Sequence, residues 1–537
     1  MDYIQGKPRS QIVLIESSLE EKIEQDNPVR IIDAFINSCK LEEFGFTHAK
    51  HAPEGRPPYH PGDLLKLYIY GYLNRIRSSR LLERECKRNL EVMWLLNELT
   101  PDHNTIANFR RDNPKAIKLV FRKMVTLCKR LDLIGGKVIA TDGTKLRAQN
   151  SKKNNFNQKK IDDHLTYIEN KLHEYLDALD IADTAENMGL DPEIDKDKIR
   201  EKVAKLNDKK QQYRKLEKQL TETGQEQIST TDPDSRKLAV RQNILEVCYN
   251  IQASVDDKHN LPIDYKTTNN NDTHALANMT ARAKSILGHN EFTTLEDKGY
   301  HTGSEISRCH EMGIETMVAV PSLSTQAPDP AFNVDQFIYH KETDTYQCPQ
   351  GNVLYTNGSW YDKGGDHKVR QYKTKACKHC PANNICTKAK NGRVIERSEH
   401  AEAVQRNRHA IEQNKELYKR RQEIVEHPFG TIKRQWGFDY TLMKGKKKVD
   451  GDVGLIFIAY LFTRMKTIQG LKGLIEAISS PFPIITNLYR AIKCQKTYFE
   501  GISNYFLLKR FSRLRTLGYW RRGEIRKIRS LYFCASL

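Results

Sequence analysis

No uninterrupted apolar run in the 537 residues exceeds Leu455 to Phe462, well short of the roughly 20 residues a membrane-spanning helix needs. With 38% hydrophobic residues and a mean hydropathy of −0.68, a polytopic membrane protein is excluded, and that run reads as a buried helix. The first residues, Met1-Asp-Tyr-Ile-Gln-Gly-Lys, lack the charged-then-apolar pattern of a secretory leader. A cytoplasmic chain with its 11 cysteines reduced is therefore expected. No segment repeats at a solenoid or propeller period. Acids are also in short supply. Lys and Arg number 87 against 68 Asp and Glu, a net charge of +19, so a polyanion is the expected partner.

What is present divides the chain. Between Pro61 and Asp132 apolar residues recur at helical spacing, as in Leu64, Leu65, Leu67 and Tyr68, then Val92, Trp94, Leu95 and Leu96. Residues 1–131 are read as an all-α N-terminal DNA-binding domain of four or five helices. Asp102 or Asn104 caps a short helix that carries Arg110 and Arg111, in a setting like a helix-turn-helix, and both arginines are expected to contact DNA. The alternative is an ordinary solvated helical face.

Residues 132–470 are read as an α/β domain. Val138-Ile-Ala-Thr-Asp142-Gly forms a buried strand with Asp142 at or near its exposed end. A polar stretch over 159–223 is expected to be an inserted helical hairpin. Strands follow at Val247–Asp256 and Leu261–Tyr265, joined as a hairpin. A helix through Leu276 and Ile286 stops at Gly288, a strand closes on Asp297, and another covers Thr316–Val320. Three strands in meander, then helix, strand, helix and strand, is the order of a ribonuclease-H-like fold. Residues 322–401 look like a small cysteine-bearing insertion, and 471–537 a basic tail with 13 Lys and Arg against three Glu.

Among 68 acids, three carboxylates by themselves say little. Asp142 in Thr141-Asp142-Gly143 and Asp297 in Glu296-Asp297-Lys298-Gly299 sit where strands end and the backbone turns, a place suited to Mg²⁺, which takes a few carboxylate oxygens and leaves positions for water and phosphate. Glu426 stands before Pro428 and seven residues before Lys433, with Glu423 as its rival. Asp232, Asp234, Asp256, Asp264 and Asp272 read as turn or cap acids.

Cys348, Cys377, Cys380 and Cys386 place a CxxC pair inside a polar insert. Thiolates at this spacing suit a tetrahedral structural Zn²⁺, with His379 as a spare ligand, and the alternative is a loop of reduced thiols.

Three blocks, Ala140-Thr-Asp142-Gly-Thr-Lys-Leu-Arg-Ala, Leu295-Glu-Asp297-Lys-Gly-Tyr and Ile424-Val-Glu426-His-Pro-Phe-Gly-Thr-Ile-Lys433, resemble the catalytic blocks of DDE transposases from bacterial insertion sequences. The subgroup resembled has an N-terminal helical domain, matched at His60-Pro-Gly-Asp-Leu-Leu-Lys and Thr105-Ile-Ala-Asn-Phe-Arg-Arg. The resemblance runs over about residues 10 to 470. It implies a ribonuclease-H-like core, Mg²⁺ or Mn²⁺ held by Asp142, Asp297 and Glu426, and Lys433 as a catalytic and DNA-contacting residue. It also implies double-stranded DNA, both element ends and target, as substrate, a homodimer or higher oligomer on DNA, nucleoid association, and cutting and joining at terminal inverted repeats. The alternatives are an inactive regulator derived from a transposase, or a metal-dependent nuclease without strand transfer. In relatives a Tyr and an Arg precede the glutamate by seven and four residues. Here those positions hold Lys419 and Gln422, with Tyr418 and Arg421 one residue further away, so on an ideal helix Lys419 and Gln422 share the face of Glu426 and Arg421 points elsewhere.

Overall fold

The computed structural model describes residues 18–49, 57–188, 195–241, 244–321, 327–364 and 367–479. It divides into two compact units, 1–475 and 476–537. The basic tail from residue 480 lies outside the described residues.

Helices α1 (Leu19–Lys22) and α2 (Val29–Asn37) precede five more: α3 (Pro61–Leu73), α4 (Ser79–Cys86), α5 (Leu90–Leu95), α6 (His103–Asp112) and α7 (Pro114–Arg130). Local chemistry sets their starts. The Asp102 carboxylate accepts from the backbone N–H groups of Asn104 and Thr105 at 2.9 and 3.1 Å, satisfying donors that a helix leaves open in its first turn. Pro61 and Pro114 each occupy a first helical position, where a missing N–H costs nothing.

The central sheet comprises β1 (Val138–Arg147), β4 (Arg236–Arg241), β5 (Ile244–Asp256), β6 (Leu261–Thr268), β7 (Thr293–Glu296) and β8 (Glu315–Val318). The minor strands β2 (Asn155–Phe156) and β3 (Ile228–Ser229) pair separately. The order runs β4-β5-β1-β7-β8, with β6 also on β5. Strands β1 and β5 are antiparallel, whereas β7 lies parallel to both β1 and β8. Between β2 and β3 stand α8 (Gln158–Asn187) and α9 (Lys196–Thr223). Lys196 pairs with Asp183 and Lys210 with Glu169 at 3.1 Å, so the two helices run antiparallel. Helices α10 (Leu276–Leu287) and α11 (Gly303–Glu311) flank β7 in the chain, and α10 ends at Gly288, whose φ of 82° suits a residue without a Cβ.

A second six-stranded sheet occupies the insertion: β9 (Ile338–His340), β10 (Thr345–Gln347), β11 (Val353–Thr356), β12 (Tyr361–Lys363), β13 (His367–Lys373) and, after α12 (Asn383–Cys386), β14 (Ile395–Ser398). The chain then returns through α13 (Ala401–Gln413), α14 (Lys415–Gly430), α15 (Lys446–Gln469) and α16 (Leu471–Ser479).

Helix α15 crosses the expected domain boundary at residue 131 by its packing. Its segment Leu455–Phe462 is buried throughout. Phe457 lies against Phe121 of α7 and Tyr265 of β6, and Phe462 meets Phe35 of α2 edge-on. A helix more than 300 residues further along the chain thus packs into the N-terminal helices and ties them to the sheet.

Candidate active site

The site starts from a register. Parallel pairing of β1 with β7 sets Ala140 opposite Leu295 and ends there. Both side chains pack on Ile424 and Val425 of α14. Side chains along a strand repeat their face every second residue, so Asp142 and Asp297, each two residues on, emerge side by side on the same face, beyond the last β1–β7 pair. Asp142 is not at the end of its strand, since β1 continues to Arg147 against β5. What ends, two residues before Asp142, is the pairing with β7.

Asp142 is half-buried, and its carboxylate takes the N–H of Gly143 at 2.7 Å. Burial raises its pKa to about 6; the Gly143 N–H opposes this and the charge of Asp297 adds to it. Asp297 accepts from the N–H of Gly299 at 2.8 Å, which fixes the turn after β7. Nη1 of Arg421 lies 3.7 Å from Asp142 and has no hydrogen-bond partner among the described residues. Tyr418, one turn earlier on α14, donates its hydroxyl to the backbone carbonyl of Glu296 at 2.9 Å. Tyr418 and Arg421 therefore face the aspartates, against the helical-face expectation. Val425 shows why: it shares their face and is pinned in the core by Ala140 and Leu295.

Glu426, one residue round the helix, is exposed and accepts from Gln422 at 2.7 Å. The structure brings Asp142 and Asp297 together without Glu426. Among the described residues no group of three His, Cys, Asp or Glu side chains is arranged to hold a metal ion. Asp142 and Asp297 fit a divalent cation in donor type and in the mutual repulsion a cation would relieve, but they do not form a closed cage. Lys433 lies against β1 beyond Asp142. Pro428 leaves α14 intact to Gly430, and a π-helical turn over Thr431–Gln435 follows. The Lys433 ammonium then meets Thr144 Oγ1 at 3.2 Å and the Lys145 carbonyl at 3.1 Å.

Two further acids border the pair. Glu296 is fully buried and accepts from the Thr294 hydroxyl, and burial raises its pKa to about 8. Its neighbour Asp297 hid it in the sequence. Asp272 accepts from Asn250 at 2.7 Å and Gln252 at 2.5 Å and faces Lys145 at 3.1 Å. The remaining competitors are engaged in the fold. Asp256 holds the N–H groups of Gly135 and Gly136, Asp264 takes Arg282 in a two-point pair, Asp232 takes Tyr249, and Asp234 takes the N–H of Lys446.

The expectation for Arg110 is overturned. It is only 6% exposed, and its guanidinium meets the Tyr72 hydroxyl at 2.9 Å, the Arg77 carbonyl at 3.2 Å and Asp452 at 3.4 Å. It cannot reach a base edge without leaving the core. Its neighbour Arg111 is exposed and pairs with Asp112 at 2.7 Å.

In the insertion, Cys348, Cys377, Cys380 and Cys386 line one cavity of about 20 Å³ beside Phe332, Phe337 and Leu354. All four are free thiols. Burial raises the pKa of Cys386, Arg393 opposes this, and the other three thiols add to the rise, which is the signature of close neighbours. Turns present them: the N–H of Gly351 bonds to the Cys348 carbonyl at 2.8 Å and that of Asn383 to the Cys380 carbonyl at 3.1 Å. Four soft donors around a space this small fit Zn²⁺ in kind, although the thiols are not closed onto one point.

Two segments match known families. Residues 17–112 match a family described as Transposase domain (DUF772), and residues 347–466 match one described as Transposase DDE domain. No curated protein and no solved structure matches the chain. The two matches together support an insertion-sequence DDE transposase, with DNA as the partner such domains imply. The second match covers Glu426, Lys433 and the four cysteines but not Asp142 or Asp297, which rest on register and resemblance. Among the described residues no helix is long and apolar enough to cross a membrane.

Proposed function

We propose that the chain is a DDE transposase that binds the terminal inverted repeats of its own insertion sequence and catalyses metal-dependent DNA cleavage and strand transfer. The observation that carries this reading is the side-by-side emergence of Asp142 and Asp297 from parallel strands, with Arg421 of α14 at 3.7 Å. The order β6-β5-β1-β7-β8, with β5 antiparallel to β1, supports a ribonuclease-H-like core. Asp142 and Asp297 would hold Mg²⁺ or Mn²⁺, which when bound supplies activation of the attacking hydroxyl and stabilisation of the leaving oxygen; Glu426, on the exposed face of α14, stands apart from that pair.

The chain's own groups do the rest. Arg421 presents a guanidinium N–H beside the acids that makes no hydrogen bond among the described residues and binds a phosphate oxygen of the scissile strand, orienting phosphorus for in-line attack. Lys433, held against β1 by Thr144 and the Lys145 carbonyl, adds positive charge where the DNA backbone passes. Tyr418 fixes the pitch of α14 on β7 through Glu296. The working assembly is a homodimer or larger oligomer bridging two element ends.

The test uses the inverted repeats flanking the gene as duplex probes. Wild type should cut and join them. Asp142→Asn and Asp297→Asn should abolish cleavage while end binding persists. A wild type that binds but never cuts would be a regulator, and cutting without joining would be a nuclease. The cysteine cavity supports a structural Zn²⁺ that crosslinks the insertion, whose own apolar core is small.

A further inference from the structure

Two neighbouring concavities, both lined by Lys266 and Lys446, together are termed the trough. One, of about 900 Å³, lies between residues 225–239 and 268–279. The other, of about 690 Å³, lies between the start of α7 and the start of α15. Lys115, Arg122, Lys237, Lys266, Lys446 and Lys447 line this trough, and all but the half-buried Lys266 are exposed. Three of its four acids are engaged: Asp112 with Arg111 at 2.7 Å, Asp450 with Lys118 at 3.9 Å, and Asp234 with the N–H of Lys446 at 2.8 Å. The fourth is Glu226. Burial and then crowding by Arg282 and Lys446 lower the pKa of Lys266, so like charges meet here with few counter-charges. A cleft lined by charge of one sign raises the local concentration of its counter-ion, here a polyanion.

One end of the trough is linked to the acid pair through the side chains of Gln252 and Asp272. Gln252 lines it and also holds Asp272 at 2.5 Å, and Asp272 is one of the charges acting on Asp142. Asn269, Asn270 and Asn271 line the same end, offering amide donors to phosphate and sugar oxygens.

We propose that this trough carries the phosphate backbone of duplex DNA toward Asp142 and Asp297, in place of the surface expected around Arg110. The inference rests on DNA being the substrate.

The test is the affinity of the full-length chain for a random-sequence duplex, measured across a range of salt concentrations. Each lost phosphate contact lowers the slope of log affinity against log salt by about 0.9. The triple variant Arg122→Gln/Lys446→Gln/Lys447→Gln should therefore flatten the slope by about two to three. A control with as many charges removed from α9, Lys202→Gln/Lys209→Gln/Lys215→Gln, should leave it unchanged. If the triple variant folds poorly, Lys447→Gln alone should flatten the slope by about one. An unchanged slope in the trough variants, or equal flattening in the control, overturns the proposal. A wild type that shows the trough-dependent slope yet cuts no element end supports the trough and ends the transposase reading.

Discussion

The guanidinium of Arg77 donates to the carboxylate of Asp452 across 2.8 Å, joining residues 375 positions apart in the chain. Both are buried, and Asp452 also faces Arg110 at 3.4 Å. The helices of the first family match are thus locked by charge to a helix of the second. Removing one partner from a buried ion pair strands the others without compensation, at a cost of about 3–5 kcal/mol. Asp452→Ala should therefore lower stability by that order, measured by chemical denaturation. Arg110→Ala should also destabilise, by about 3 kcal/mol, while leaving the preference for element ends over random DNA intact. A stable Arg110→Ala protein with lost preference would restore Arg110 to the DNA surface.

The same cluster sets an acid limit. Burial alone would raise the pKa of Asp452, but Arg77 and then Arg110 outweigh it and hold it below the usual carboxylate range. Its folded pKa therefore lies below the unfolded value of about 3.9, and the unfolded chain binds the proton more readily. The stability from this group is present above about pH 4 and is lost as pH falls through the folded value. Unfolding free energies measured between pH 3 and 6 should decline at the acid end in wild type and flatten there in Asp452→Asn.

Gly143 is constrained by its neighbours rather than by a turn. A Cβ there would fall on Asp272 Oδ1, Asn250 Oδ1 and Gln252 Nε2. All three belong to one hydrogen-bonded set, so none can give way alone. Gly143→Ala should cost about 1–3 kcal/mol through overpacking and should slow cleavage more than a remote substitution of equal cost, because Asp142 precedes it. Equal activity and stability to wild type would show that the set yields freely.

Locally written features were legible in the sequence. The Asp102 cap, the β5–β6 hairpin, the Gly288 stop and the apolar α15 follow from patterns within a few residues. What failed depended on distant partners. Arg110 looks like a surface arginine until Asp452 arrives from α15, and Asp142 looks like a strand end because the continued pairing of β1 with the distant β5 is invisible from the local sequence. The face of α14 was misjudged because an ideal helix says nothing of which side Ala140 and Leu295 will pin. Glu426 was legible as a motif residue, and its place relative to the aspartates was not.

The cysteine cavity makes a separable prediction. Protein purified without chelator should carry near-stoichiometric zinc by elemental analysis. Cys348→Ser and Cys380→Ser should lose it, and His379→Ala should keep it, since His379 does not line the cavity. Chelation should destabilise the insertion, read as increased proteolysis between residues 327 and 400. Zinc-free wild type, or loss of zinc in His379→Ala, would leave a loop of reduced thiols.

Arg421 and Lys419 offer the sharpest contrast at the acid site. The sequence spacing favours Lys419, which shares a helical face with Gln422 and Glu426, whereas the structure turns Arg421 toward Asp142 at 3.7 Å. Lys419 is exposed and pairs with Glu416 at 2.7 Å, so it has a surface role only. Removing a fixed charged donor from the place where negative charge develops costs a reaction about 10²–10³-fold in rate. Arg421→Ala should slow cleavage by that order with little change in end binding, and Arg421→Lys should recover part of the rate by restoring charge without the planar fork. Lys419→Ala should cut at nearly the wild-type rate. Single-turnover cleavage of a labelled element end measures all three. Comparable losses in Arg421→Ala and Lys419→Ala would mean that α14 rotates when DNA binds, bringing the face of Glu426 toward the aspartates.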